Sequence, residues 1–350
     1  MQAMAQASAP APAAKPSYSE LLAASKPGDW RPLDLENTLY MDIPQGRVII
    51  EVSAAYAPAH AANIRALVRE KYFDGLTILR SQDNYVAQWG DPDEKNPRAM
   101  KQGKASLAPE FTRTIDAKLP FTKLPDVDGY APEVGFSNGF PVGRNPKTNQ
   151  TWLAHCYGMV GAGRDNADTS GSGAELYAVT GHAPRHLDRN ITLLGRVVQG
   201  MPLLSSLPRG TGNLGFYEKP EQRVTIKSVR LAADVPAAER TNLEVIRTDT
   251  PLFTSLVEAL RNRGGTGVDL DSQKVFRRDG VATNLCNILV VAQLDQQVRR
   301  RRHAGAVAVG VDLDPQLEAM PVRAPEGAQR LRHRHVVGDQ LQVAALAPQR

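Results

Sequence analysis

The stretch from Asp74 to Asp91 constrains the fold of this chain more than any other. Asp74-Gly75 is a break signal. It releases Leu76-Thr77-Ile78-Leu79-Arg80, a short run that reads as a strand. After a brief polar turn comes Tyr85-Val86-Ala87-Gln88-Trp89-Gly90-Asp91, a second run rich in apolar and aromatic residues. An arginine between two such strands reads, by itself, as an ordinary surface residue. Its meaning depends on what the rest of the chain supplies, in order, on either side.

Upstream, Ser19 to Ser25 reads as a short helix before a turn at Lys26-Pro27-Gly28-Asp29. Thr38 to Ile43 alternates enough to be a strand, Pro44-Gln45-Gly46 supplies a turn, and Arg47–Val52 reads as the next strand. Pro58 fits the first turn of a helix, where its missing N–H costs nothing, and Ala61, Ile64, Leu67 and Val68 share one face of that helix. Downstream, Trp152 to Met159 reads as a strand. Val197 to Leu207, with Met201, Leu204 and Leu207 helically spaced, reads as a second helix in which Pro202 is tolerable near the start. Val224 to Leu231 alternates as a closing strand. Thr250 and Pro251 cap a further helix at about 251–263, with Leu252, Phe253, Leu256, Val257 and Leu260 on its apolar stripe and Gly264-Gly265 as its stop.

Five ordered blocks resemble the cyclophilins, which are peptidyl-prolyl cis-trans isomerases. Gly46 to Val52 is similar to their G-x-I-x-I-E-L strand. Ala57-Pro58, Asn63, Leu67 and Tyr72-Phe73-Asp74-Gly75 follow A-P-x-x-x-x-N-F-x-x-L and its F/Y-D-G exit. Arg80 to Asp91 follows F-H-R and F-M-x-Q-G-G-D. Gly173 to Tyr177 stands where the family has G-S-Q-F-F, and Leu187-Asp188 with Leu194 to Met201 resembles L-D-x-x-x-x-V-F-G-x-V-x-x-G-M. The resemblance covers most of 39–232. It implies a mainly β fold: a closed eight-stranded antiparallel β-barrel capped by two helices. A polar surface insertion at about 92–150, in which Glu110-Phe111 is similar to the family's E-F, and the added helix at 251–263 are expected outside it. The expected domain runs over 18–235, followed by an extension over 236–286.

The resemblance also implies site residues. Arg80 takes the place of the catalytic arginine. Tyr85, Val86, Tyr177 and Leu187 would line the proline pocket, with Ile191 at its rim where the family has histidine. Gln88 would bond the substrate backbone and hold the guanidinium, and Gly163 and Arg164 would pair with the substrate like a neighbouring strand, although Gly161-Ala162-Gly163 departs from the usual M-A. Other departures are Ile78-Leu79 for Phe-His, Trp89 for glycine, Glu175 for glutamine, Leu176-Tyr177 for Phe-Phe and His186 for tryptophan. Glu175 is positioned to pair with Arg80. These changes imply reduced turnover and weak binding of cyclosporin. The implied activity is isomerisation of X-Pro bonds in unfolded or exported polypeptides, by a monomer without cofactor. The alternative is a non-catalytic chaperone or scaffold that uses the same groove.

Other signals are weaker. His182, His186 and Asp188 lack further ligands at suitable spacing, so no metal is expected and the segment reads as a solvated loop. The glycines of 161–163 and 171–173 lack the strand, lysine and Ser/Thr context of a phosphate loop. The formal net charge is +5, but 287–350 carries nine arginines against six acids, so no nucleic-acid partner is read from it. No apolar run approaches the ~20 residues that span a bilayer. Residues 1–17 form an Ala/Pro-rich leader expected to be disordered. Its Ala5-Gln6-Ala7 matches a signal-cleavage pattern without the rest of a signal, which points to the periplasm, with an ordinary cytoplasmic leader as the other reading. The two cysteines, Cys156 and Cys286, suit one disulfide in an oxidising compartment, or else are two separate buried thiols. After Lys274 and Phe276 there is no further lysine or aromatic residue, and 287–350 reads as a low-complexity tail, either disordered or translated out of frame.

Overall fold

Alternating apolar residues build the main sheet, and most of its strands are covered on both faces. The computed structural model describes residues 16–261 except Glu94, together with Leu285, Cys286 and Val298–Arg300. The readings of the leader and of most of the tail lie outside the described residues, as does the Gly264-Gly265 stop.

In chain order the first elements are helix α1 (Tyr18–Ala23), β1 (Trp30–Pro32), β2 (Thr38–Ile43), β3 (Gly46–Val52), helix α2 (Pro58–Arg69), β4 (Thr77–Ser81) and β5 (Val86–Gly90). Next come β6 (Arg113–Thr114), β7 (Thr122–Lys123), β8 (Glu133–Ser137), β9 (Phe140–Asn145), β10 (Gln150–Leu153), β11 (Met159–Ala162), β12 (Leu176–Val179) and β13 (Leu193–Gln199). Helix α3 (Met201–Ser205), β14 (Val224–Thr225), β15 (Ser228–Leu231), β16 (Leu243–Ile246), helix α4 (Pro251–Arg261) and β17 (Val298–Arg300) complete the order.

The strands form three sheets. A strongly curled nine-stranded sheet runs β14-β4-β5-β12-β11-β13-β3-β2-β15; a five-stranded sheet runs β6-β10-β9-β8-β7; a small one runs β1-β16-β17. Every pairing is antiparallel. The two ends of the large sheet, β14 and β15, are separated in the chain only by Ile226 and Lys227. The N–H groups of these two residues bond the carbonyls of Leu76 and Asp42, both at 2.8 Å.

Strand β3 shows why its sequence is so apolar. Val48 and Ile50 face an inner core with Ala61, Ile64 and Leu67 of α2, and with Met201 and Leu204 of α3. Ile49 points the other way, toward Tyr40, Val198 and Val245. Each fully buried Ile or Leu here contributes about 1.5–3 kcal/mol of apolar transfer energy. On the outer face of β5, β12 and β13, Val86, Tyr177, Val179 and Leu193 share a second core with Phe136, Trp152, Phe253 and Leu256. The stretch 92–150 therefore contributes four complete strands, β6 to β9, and one side of this second core, and α4 packs there, with Phe253 edge-to-face on Phe136 at 5.1 Å.

Several sequence expectations need correction. The alternating stretch 224–231 forms two strands. Residues 152–159 divide between β10 and β11, because the chain leaves one sheet for another at Ala154 to Gly158. The second helix is only Met201–Ser205; Val197 and Val198 belong to β13, which pairs with β3, and Gly200 at φ 90° makes the turn between strand and helix. Cys156 and Cys286 are joined as a disulfide, with Cα atoms 4.9 Å apart, and both are buried; the reading of two separate thiols falls. Asp188, expected in a solvated loop, has a side chain only 4% exposed and is paired with His155 and Arg185.

Candidate functional site

A β-bulge aims the central arginine. Strict alternation would put Ile78 and Arg80 on the same face of β4, and Ile78 is inside the inner core. The pairing between β4 and β5 instead jumps from Ile78 opposite Trp89 to Arg80 opposite Gln88, leaving Leu79 as the extra residue. Directly opposed residues share a face, so the bulge turns Arg80 outward with Gln88 while Ile78 and Trp89 stay inside. The row continues across the sheet: Gln88 opposes Tyr177, and Tyr177 opposes Gly161. Residues from four strands thus form one transverse line on the outer face.

The guanidinium at the head of this line is held on several sides. Its Nε donates to the Leu214 carbonyl at 2.6 Å, Nη1 donates to Gln88 Oε1 at 2.9 Å, and Nη2 donates to Gln82 Oε1. Among the described residues these bonds use three of its five N–H donors, which leaves two for a ligand. The charge lies over the rings of Tyr85, at 5.5 Å, and Phe216, at 5.2 Å. Burial pulls the Arg80 guanidinium below its ordinary value, and the fields of Tyr85 and Glu175 oppose this. Glu175 reaches the arginine through Gln88, whose Nε2 donates to Glu175 Oε2 at 2.8 Å. Gly163 lies against both: a Cβ there would come within 3.0 Å of Glu175 Oε2 and 3.3 Å of Gln88 Nε2. Leu214 supplies its carbonyl from a left-handed backbone (φ 54°, ψ 20°), and its side chain is 56% exposed beside the site.

The apolar part lies further along the row. Val86 and Tyr177 are buried, Tyr85 and Ile191 are half-buried and packed against the same cluster, and Leu187 is half-buried at the end of a short 3-10 turn. His186, in the tryptophan position, stacks on Tyr85 with ring centroids 5.9 Å apart. Arg164 is drawn away from this grouping: its side chain bonds the Asn190 carbonyl and Oδ1 and the Asp165 carbonyl, and it lies over Phe111. The Gly163 N–H is engaged by the Glu175 carbonyl at 2.9 Å.

Beneath the row is a polar chain that sequence reasoning missed. The Tyr177 hydroxyl meets His155 Nε2 at 2.8 Å, and His155 Nδ1 meets Asp188 Oδ1 at 2.9 Å. Asp188 Oδ2 accepts from Arg185 Nε at 2.9 Å, and Arg185 grips Asp128 through both terminal nitrogens. Burial lowers the His155 pKa and raises that of Tyr177 well above its ordinary value. Burial would also raise the Asp188 carboxyl, but the His155 hydrogen bonds and the Arg185 charge bring it below its ordinary value. Gln82, Leu214 and Phe216 were missed too; only the glycines around 210–215 hinted at a tight loop there.

Comparison with known proteins agrees with this geometry. The family model described as cyclophilin type peptidyl-prolyl cis-trans isomerase matches residues 38–231. A Synechocystis sp. protein assigned by name to thylakoid lumen peptidyl-prolyl cis-trans isomerases is 24% identical over 185 residues, covering 49% of this chain but only 44% of that protein. A Brucella abortus protein named as a peptidyl-prolyl cis-trans isomerase is 23% identical over 190 residues, covering 54% of this chain and 81% of its own. The crystal structure of cyclophilin AquaCyp293 from Hirschia baltica superposes with a TM-score of 0.58 at 25% identity, over 73% of this chain and 94% of that one.

Proposed function

Because the chain belongs to the cyclophilin-type peptidyl-prolyl cis-trans isomerase family, we propose that it catalyses rotation about X-Pro bonds in polypeptides, with Arg80 as the catalytic residue. A peptide bond resists rotation by roughly 18–20 kcal/mol because nitrogen shares its lone pair with the carbonyl. For X-Pro the cis and trans ground states lie close in energy, so only the barrier needs lowering. In the twisted state the lone pair returns to nitrogen, which becomes basic. A fixed guanidinium with free N–H groups donates to that nitrogen and to the prolyl carbonyl, and does so best in the transition state. The observation that carries this reading is the clamped Arg80, held by Gln88, Gln82 and Leu214 with two donors unspent.

Around it, Tyr85, Val86, Tyr177, Leu187 and Ile191 form the proline pocket in this proposal. Gln88, tuned by Glu175, aligns the arginine, and Gly163 and Arg164 offer backbone to an extended substrate. We count the split strand 224–231 as one, which makes the curled sheet an eight-stranded barrel with α2 and α3 as its caps; the described residues of 92–150 and 236–261 are additions outside it. The substrates are unfolded or exported proline-containing chains, met by a monomer in the periplasm. The buried disulfide and the lumenal name of one relative support the compartment.

The test is a protease-coupled assay on an Ala-Pro-Phe peptide. The protein accelerates isomerisation, and Arg80→Ala removes most of the acceleration at matched folding. Equal rates for the two proteins would refute the catalytic reading.

A further inference from the structure

Tyr177 brings a hydroxyl into the apolar floor of the pocket, and among the described residues that hydroxyl meets His155. The imidazole is buried, 1% exposed. Its Nδ1 faces the Asp188 carboxylate, which can only accept, so Nδ1 carries the proton. Burial disfavours a second proton, so Nε2 is left as an acceptor and the Tyr177 hydroxyl donates to it. The direction of each bond follows from the one before it. Asp188 is fixed in turn by Arg185, whose far side is locked onto Asp128. The backbone beside the imidazole is tied as well, because the next residue, Cys156, is bridged to Cys286. Gly161 completes the device by leaving room for the ring tip: a Cβ there would come within 2.3 Å of the Tyr177 oxygen.

We propose that His155, held by Asp188, is a positioning residue for the isomerase site: it accepts the Tyr177 hydroxyl and so fixes the aromatic ring that floors the proline pocket. This rests on the isomerase reading. A phenylalanine at this place would be located by packing alone, whereas Tyr177 is pinned at both ends, by its strand and by its hydroxyl. An immobile floor holds the proline ring still while the preceding carbonyl swings, and this pre-organisation acts on the transition state.

Two substitutions at His155 separate its two bonds. Asparagine places its amide near Nδ1, so His155→Asn keeps a donor for Asp188 and loses the partner of Tyr177. Glutamine reaches the Nε2 position, so His155→Gln keeps an acceptor for the hydroxyl. Tyr177→Phe removes only the oxygen. In the protease-coupled assay, Tyr177→Phe and His155→Asn should each lower kcat/KM about 3- to 10-fold, with the loss in kcat and with KM changed less than about 2-fold. His155→Gln should restore most of it, and Tyr177→Phe/His155→Asn should fall no further than either single change. Proton NMR gives a readout independent of activity, in which slow flipping of the Tyr177 ring becomes fast in His155→Asn. If His155→Asn does not fold, Tyr177→Phe decides, since it keeps the ring and its packing. Unchanged kcat/KM in Tyr177→Phe, additive losses, or a glutamine variant as impaired as the asparagine variant would overturn the proposal. A parent protein that does not accelerate isomerisation would instead count against the isomerase reading, and activity that survives Arg80→Ala would count against Arg80 as its catalytic residue.

Discussion

Gly161→Ala is the most demanding single test of how the pocket floor is packed. Gly161 opposes Tyr177 across β11 and β12, and a Cβ placed on it would lie 2.3 Å from the Tyr177 oxygen, 2.4 Å from Cζ and 2.9 Å from Cε1. Real Cβ contacts do not come that close, so something must move. The ring cannot swing aside freely: its hydroxyl is bonded to His155 at 2.8 Å and the residue is only 4% exposed. Overpacking of this kind costs about 1–3 kcal/mol. Displacing the hydroxyl from His155 adds about 1 kcal/mol. Alanine gives back about 0.4–1 kcal/mol by restricting the unfolded chain. The net expectation is a destabilisation of about 1–4 kcal/mol. Urea unfolding should show it as a lower midpoint at unchanged m value. Adding Tyr177→Phe should relieve only part of the loss, because the contact with Cζ remains. A midpoint within experimental error of the parent protein would show that the floor is soft and that the reasoning fails.

Other outcomes follow from the same contacts. Reducing the Cys156–Cys286 bridge, which closes a loop across 130 residues, should cost about 3–5 kcal/mol and lower the thermal midpoint, while Cys156→Ser should be insensitive to reductant. Arg196→Met should cost about 1–3 kcal/mol, since buried Glu51 keeps Arg31 but loses its second partner and the Gly139 carbonyl loses a donor, as urea midpoints would record. His155 has a folded pKa below its ordinary 6.5, so only the unfolded chain takes up a proton just under that pH; stability present above pH 6.5 should be lost as the pH falls. Asp188, lowered below 3.8, loses stability in the same direction at more acid pH, and His155→Gln should abolish the upper loss alone in a pH series of thermal midpoints.

The sequence made the linear strings legible and the third dimension only in part. Val48, Ile50 and the Ala61-Ile64-Leu67 stripe declare their faces by period, and they sit in the inner core as their spacing requires. Arg80 does not declare its face: by strict alternation it belongs inside with Ile78, and only the bulge at Leu79 turns it out. The order of motifs located it where periodicity would have misplaced it. Val197 and Val198 suit a helix as well as a strand, and pairing with β3 decided for strand. His155, Asp188 and Asp128 are scattered over sixty residues of chain, so their convergence under Tyr177 left no local mark. Trp89, an apparent defect in the glycine motif, fills the inner core at 1% exposure.

Leu214 serves the site through its backbone alone, and its side chain is a local cost in stability. An L-residue with a branched side chain held at φ 54° gives up about 1–2 kcal/mol relative to a right-handed turn, and here that residue also shows most of its apolar surface to water. A search for heat tolerance would therefore settle quickly on Leu214→Asn, since asparagine accepts the left-handed region readily. The same rigid kink is what directs the residue's carbonyl at Nε of Arg80. Because asparagine accepts the same kink, Leu214→Asn should raise the thermal midpoint and leave that carbonyl on the Arg80 guanidinium.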